Sequence, residues 1–299
     1  MTLPKKRSLQ LRAFAKINLC LRILGRRPDN YHELRTIFQT ISLHDTLTLS
    51  LVPKGISLEV SDVALPTGPE NLVWRAIDAM RNELKLSFGV HALLEKRIPV
   101  ARGLGGGSSD AAAALVGMLR LTKKKVPLER LMEIAASLGA DVPFFLFGGR
   151  ALAVNRGDEI YPLPDTRKES IVVVSPRDIG VSTKDAYQWI SAELTNRMEP
   201  PKIWGFCALC WSRQGRVAND FEQPVFSRYP RLKEIRDGLL ERGAADAALA
   251  GSGSAVFGIF RNPARARRAA RAFPEDSVFV VETVSRENYA RALGWRVTG

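Results

Sequence analysis

The sequence predicts a two-domain α+β protein. Three observations carry that prediction. The chain has 299 residues, more than one small core needs. Strand-period and helix-period segments mix without a regular βαβ rhythm. Residues 161–168, with two prolines and mixed charge, have the composition of a linker. The expected units are residues 1–162 and 163–299.

Residues 11–24 alternate as a strand, with Leu11, Ala13, Ala15, Ile17, Leu19, Leu21 and Ile23 on one side. Lys16 and Asn18 therefore share the other side, about 7 Å apart by strand geometry. Residues 26–30 read as a turn, and strands follow at about 36–42 and 45–51. A helix over 71–84 opens on a polar cap and a strand follows near 89–94. After a glycine run, 108–121 reads as a helix with an alanine-rich first half, where small side chains permit close packing. A helix over 128–138 ends at Gly139, where a left-handed cap is expected. Ala140-Asp141-Val142-Pro143 then leads into an apolar segment, 144–147. Beyond the linker come a strand (171–174), a helix (183–196), a helix (231–241), and a strand pair around Gly251-Ser252-Gly253. An arginine-bearing helix and a strand at 277–281 complete the chain.

Composition excludes several classes. With 45% hydrophobic and 25% charged residues the chain is an ordinary globular protein. No apolar run reaches the length of a membrane span, so no membrane partner is expected. The basic start has no apolar core followed by a small-residue cleavage site, which predicts a cytoplasmic protein. Cys20, Cys207 and Cys210 fit a reducing compartment. Cys207 and Cys210 have the spacing of half a zinc site or a redox pair. No second such pair and no later histidine completes it, so they read as small apolar residues in a helix.

The formal charge is +13, from 44 basic and 31 acidic residues. It invites a polyanion: nucleic acid, a membrane surface or a phosphorylated metabolite. Basic residues are nowhere interleaved with aromatics, which argues against nucleic acid. In 261–271, Arg265, Arg267, Arg268 and Arg271 alternate with alanines, as on a helix with one solvated and one packed face.

The strongest chemical signal is Pro99-Val100-Ala101-Arg102-Gly103-Leu104-Gly105-Gly106-Gly107-Ser108-Ser109. Glycines let backbone approach a ligand and adopt positive φ. A helix start adds unpaired N–H groups and the positive end of a dipole, a ready anion site. The stretch is neither a Walker A loop, which needs a lysine after its last glycine, nor a dinucleotide fingerprint, since Ser108 stands where the third glycine should be. A purely structural glycine turn is the alternative. A kinase must also place an acceptor hydroxyl in line with the γ-phosphoryl and offset the charge that spreads there. Asp141, in a loop past a helix, has the right type to accept that proton. Lys16 could keep such a carboxylate ionised while offsetting phosphate charge. Singly, each residue is more often a surface salt-bridge partner.

Taken together, Ala15-Lys16-Ile17-Asn18-Leu19, the glycine stretch and Gly251-Ser252-Gly253-Ser254 resemble the galactokinase–homoserine kinase–mevalonate kinase–phosphomevalonate kinase (GHMP) superfamily. Tyr31-His32-Glu33-Leu34, Gly139-Ala140-Asp141-Val142-Pro143 and Asn219-Asp220-Phe221-Glu222 narrow the resemblance to a branch whose acceptor carries cytidine. The motifs occur in family order and span nearly the whole chain. The resemblance implies an N-terminal domain like ribosomal protein S5 domain 2 and a ferredoxin-like C-terminal domain. It implies ATP-dependent phosphorylation of the 2-hydroxyl of cytidine-diphospho-methylerythritol, with Mg²⁺ as the ATP chelate. Lys16 and Asp141 match the catalytic pair, and Pro99 to Ser109 match the wrap around the ATP phosphates. Asn18 is similar to a residue holding the sugar-alcohol end. Tyr31 looks like a ring stacking on cytosine, and His32 like the residue reading its edge. Thr183 and Tyr187 fall at the pocket's second wall, while Gly251, Ser252 and Gly253 border the transfer site.

No protein metal ligands are expected beyond an analogy for Ser109, and no feature decides oligomeric state. Two departures stand out. Arg102 replaces a small residue before Gly103 and is expected to point to solvent or, less favourably, to touch phosphate. Ala250 stands where many relatives carry serine.

Overall fold

The computed structural model describes residues 8–29, 31–194 and 217–297. Cys207, Cys210 and the end of the expected 183–196 helix lie outside the described residues.

Two long strands organise the molecule. β1 (Ser8–Arg26) pairs antiparallel with β2 (His32–Val52). No glycine or proline interrupts 32–52, so the two strands expected there are one. Near the expected break the pairing steps from Phe14↔His44 to Lys16↔Thr40, leaving extra residues on β2 as a bulge. A second shift, from Asn18↔Phe38 to Cys20↔Ile37, places an extra residue on β1. The simple alternation expected for β1 fails for this reason. Leu11 and Ala13 join one apolar cluster, Ala15 and Ile17 a second, and Leu21 and Ile23 a third. Both faces of the strand are covered.

The first sheet runs β3 (Ile56–Val60), β4 (Gly89–Glu95), β2, β1 and β8 (Ala218–Asn219). β5 (Arg150–Val154) adds to β2, and β6 (Glu159–Pro162) to β5. β6 takes Tyr161 and Pro162 out of the expected linker. α1 (Leu72–Glu83), α2 (Gly106–Thr122) and α3 (Leu128–Leu138) contribute to one core with this sheet, in which Leu47, Leu49, Ile77, Met80 and Leu115 are fully buried. The polar cap predicted for α1 is Asn71, whose side chain accepts the Val73 N–H at 2.9 Å. Gly139 after α3 is extended, with φ 171°, rather than left-handed. Its carbonyl accepts the Val142 N–H at 3.1 Å, so the chain enters the Asp141 turn directly. α4 (Phe144–Phe147) follows that turn.

The second sheet comprises β7 (Ser170–Ser175), β9 (Asp246–Leu249), β10 (Val256–Phe260) and β11 (Ser277–Glu282), ordered β11-β7-β10-β9 with every pair antiparallel. α5 (Thr183–Leu194), α6 (Glu222–Arg228) and α7 (Pro230–Glu241) lie between β7 and β9 in the chain, and α8 (Pro263–Ala270) between β10 and β11. This is the split β-α-β order of a ferredoxin-like sheet. On α8, Ala266 and Ala269 are buried while Arg265, Arg267 and Arg268 are exposed, as their spacing predicted.

The sheets are joined at the β2 bulge. There Val284 N–H donates to the Thr40 carbonyl at 2.9 Å and Glu282 N–H to Ser42 Oγ at 3.0 Å. α9 (Arg286–Leu293) then returns to the first core, where the buried Tyr289 hydroxyl donates to the Phe145 carbonyl.

Candidate active site

The glycine stretch leaves β4 and enters α2 with Ala101, Gly103 and Gly105 at positive φ. At Gly103 (φ +79°) a Cβ would lie 1.8 Å from the Ala250 carbonyl oxygen, so only glycine fits between the two loops. At Gly105 (φ +71°) it would press on Phe145 at 2.9 Å and on Lys16 Cγ at 3.0 Å. Gly105 also caps α2 without any side-chain hydrogen bond, and the first turn holds no acidic residue. Its leading N–H groups and positive dipole end are left for an anion.

A buried ion cluster holds this loop from beneath. Asp45 accepts the backbone N–H groups of Arg97 and Ile98, and Lys96 Nζ donates to both Asp45 and Asp110. Burial alone would lower the Lys96 ammonium, but the two carboxylates outweigh it and hold its pKa above the usual value. Burial, opposed in part by Lys96, pushes Asp110 up to about 8. Asp110 thus holds its proton to higher pH than the same carboxyl does in the unfolded chain. The folded state then binds more protons between the ordinary carboxylate range and pH 8, so stability falls as pH rises through that window. The slope is at most about 1.4 kcal/mol per pH unit per proton. Asp110→Asn should flatten this fall relative to wild type, measured as urea midpoints from pH 5 to 8.

Lys16 serves the loop and the acceptor side together. Its backbone N–H donates to the Leu104 carbonyl at 3.0 Å. Its ammonium donates to Asn18 Oδ1 at 2.9 Å, stands 3.4 Å from Asp141 Oδ2, and lies 5.1 Å from the Phe38 ring centre. Asn18 is held in turn by Thr36 Oγ1, 2.8 Å from its Nδ2. The Lys16 side chain is 5% exposed and the Asp141 side chain 32%. The carboxylate is therefore pinned at one oxygen by a buried cation and open to the cleft at the other end.

Beyond this pair lie the aromatic residues. His32 opens β2, and its ring stacks on Tyr187 at 4.7 Å. His32 Nε2 is 2.7 Å from Ser191 Oγ. Burial, then the charge of Arg26, lowers the His32 pKa, which favours the neutral imidazole. Burial and the Asp141 charge raise that of the Tyr187 hydroxyl. Tyr31 is 54% exposed, with Arg156 4.9 Å from its ring centre. Thr183 Oγ1 meets Ser252 Oγ at 3.0 Å, linking α5 to the Gly251–Gly253 turn. Asn219 Nδ2 fastens that turn through the Leu249 and Gly251 carbonyls, at 2.8 and 2.7 Å.

One cleft of about 1170 Å³ collects these groups. Lys16, Asn18, Tyr31, His32, Asp141, Thr183, Tyr187, Gly251, Ser252 and residues 99–108 all line it. Ser109 and Gly253 do not. Ser109 is buried behind the loop, its hydroxyl without a hydrogen-bond partner among the described residues, and Gly253 packs toward Leu249. Arg102 lines the cleft rather than pointing simply to solvent, and its guanidinium donates to Ser254 Oγ at 2.7 Å. Ala250 acts through backbone, its N–H donating to Ala255 and its carbonyl accepting from Gly253. Asn71, Lys96, Arg156 and Ser191 also line the cleft and were missed. Lys96 alone had a signal, as a basic residue just before the glycine stretch.

An uncapped helix start facing a lysine–carboxylate pair, with an aromatic slot beyond it, defines a phosphotransferase for a small alcohol. Residues 71–149 match the family of GHMP kinases N terminal domains, and residues 203–277 that of GHMP kinases C terminal domains. The 4-diphosphocytidyl-2-C-methyl-D-erythritol kinase of Solibacter usitatus is 46% identical over 97% of this chain and 92% of its own. That of Geobacter metallireducens is 41% identical over 93% and 98%. A crystal structure of 4-(cytidine 5'-diphospho)-2C-methyl-D-erythritol kinase superposes with TM-score 0.79 at 36% identity, covering 92% of this chain and 99% of that one. Homoserine kinase from Cytophaga hutchinsonii shares the fold, with TM-score 0.72 at 18% identity over 95% and 97%. The chain belongs to the GHMP kinases, in the family of 4-diphosphocytidyl-2-C-methyl-D-erythritol kinases.

Proposed function

We propose that this chain transfers the γ-phosphoryl of ATP to the 2-hydroxyl of 4-diphosphocytidyl-2-C-methyl-D-erythritol, a step that supplies isoprenoid precursors. The observation that carries the reading is the Lys16–Asp141 pair, set 3.4 Å apart between the phosphate loop and the His32–Tyr187 slot. Residues 99–109 wrap the ATP phosphates, with the first turn of α2 donating to them. Asp141 accepts the proton of the attacking hydroxyl. Lys16 orients that carboxylate and offsets charge on the transferring group. Asn18 holds the sugar-alcohol end, Tyr31 stacks on cytosine, His32 reads its edge, and Thr183 and Tyr187 complete the far wall. Gly251, Ser252 and Gly253 border the transfer point.

Magnesium arrives as the ATP chelate. Among the described residues no three His, Cys, Asp or Glu side chains gather into a metal site. No helix is long and apolar enough among the described residues to cross a membrane.

The product tests the reading. The 2-carbon of the acceptor bears a methyl group and no hydrogen. A phosphomonoester formed there gives a ³¹P signal without vicinal proton coupling. The expected result is a new singlet in the monoester region that accumulates with ADP. A triplet or doublet would place the phosphate on another hydroxyl and sink the assignment.

A further inference from the structure

The aligned geometry of the phosphate loop and acceptor side depends on a side chain that no role above uses. Three successive residues of the loop meet the rest of the site. The Arg102 carbonyl accepts the Ala255 N–H at 3.2 Å, Gly103 lies against the Ala250 carbonyl, and the Leu104 carbonyl accepts the Lys16 N–H at 3.0 Å. The Arg102 side chain reinforces the first of these contacts. Nη1 donates to Ser254 Oγ at 2.7 Å and Nη2 to the Arg177 carbonyl at 3.3 Å. Ser254, fully buried, donates onward to the Ile179 carbonyl at 2.6 Å. Residues 177–179 lead directly into α5, which carries Thr183 and Tyr187. Among the described residues the guanidinium meets a hydroxyl and a carbonyl but no carboxylate.

We infer that Arg102 is a positioning residue for phosphoryl transfer. It brackets the phosphate loop, the 250–255 turn and the approach to α5, keeping ATP's end of the cleft in register with the acceptor's. Displacements of about 1 Å in such alignments cost on the order of 10²-fold in rate. The loop sets Lys16 through Leu104, so a loosened bracket acts on the chemical step more than on binding. A competing role is direct: an uncompensated cation in a cleft built for phosphates could bind ATP itself. The two differ in what they predict.

The test is a double-mutant cycle on purified full-length protein, with Tm recorded for each variant. Arg102→Ala should lower kcat about 10- to 100-fold, with KM for ATP within about twofold of wild type. Ser254→Ala should fall similarly, and the double variant no further, because both act through one contact. The wild-type to Arg102→Ala ratio should also be flat between low and high salt, since the contacts proposed to matter are hydrogen bonds to neutral groups rather than an ion pair with ATP. Losses that multiply in the double variant would overturn the inference. So would an Arg102→Ala defect carried by KM for ATP that shrinks as salt is added. If Ser254→Ala does not fold, the salt series and the kcat–KM split on Arg102→Ala decide alone. The inference rests on the phosphotransfer reading. Wild-type ADP release with the cytidine substrate, run alongside, tests that reading by itself.

Discussion

Asp141→Asn lowers kcat by about 10²–10⁴-fold, the usual range for loss of a general base. The amide keeps the shape of the carboxylate and removes its ability to take a proton. Asp141 sits in the turn between α3 and α4, and the ATP cradle is built from residues 99–109 with the start of α2, so KM for ATP should barely change. Lys16→Met is the companion variant. It removes the ammonium that stands 3.4 Å from Asp141 while keeping the backbone N–H that ties β1 to Leu104, so the loop stays in place. It too should cut kcat. The double variant should lose less than the product of the two effects, because the residues act as a unit. Near-wild-type turnover in Asp141→Asn would remove this carboxylate from the mechanism.

Tyr31→Ala and His32→Ala each raise KM for the cytidine substrate about 5- to 150-fold and leave KM for ATP nearly unchanged. Base–aromatic stacking is worth about 1–3 kcal/mol, and an unpaired polar edge of the base costs a similar amount, at tenfold per 1.4 kcal/mol. The exposed Tyr31 ring offers a face to a base, and Arg156 lies over the same ring. A neutral His32 imidazole can accept as well as donate, which suits an edge carrying both kinds of group. Removing His32 also takes away the ring stacked on Tyr187, so absolute losses combine two effects. The ratio of kcat/KM for cytidine over uridine substrates separates them. That ratio should narrow in His32→Ala, since the two bases differ along the edge it is proposed to read. An unchanged ratio would mean that His32 supports Tyr187 without reading the base.

The sequence made the local elements legible where side chains act on their own backbone. Asn71 marks the start of α1, and the glycine run followed by alanines marks the start of α2. The alternation of Ala15 to Leu19 put Lys16 and Asn18 side by side, and they hydrogen-bond at 2.9 Å. Pairing decides the rest. The β2 bulge looked like a break because nothing in residues 41–43 announces that Thr40 and Ser42 bond to residues 282–284. Gly139 looked like a left-handed cap, yet the Asp141 turn needs it extended. The missed residues Arg156 and Ser191 each act on a ring from a distant part of the chain, Arg156 over Tyr31 and Ser191 on His32. Asp45 and Asp110 meet through Lys96 across strands and a helix, a cluster that spacing along the chain does not reveal. Arg102 looked solvated because its partner, Ser254, lies in the second sheet's turn.

The claim that binds these observations is that one cleft joins a phosphate cradle to a pocket for a base-bearing alcohol. It is tested most directly by ADP release from purified protein with three acceptors in parallel: 4-diphosphocytidyl-2-C-methyl-D-erythritol, mevalonate and homoserine. The cytidine-bearing alcohol should be turned over with a kcat/KM at least about 10²-fold above either of the others, since neither can use a stacking contact of roughly 1–3 kcal/mol or satisfy the polar groups set around it. Equal or faster turnover of mevalonate or homoserine would contradict the account, leaving the Tyr31, His32 and Tyr187 slot without a base to hold.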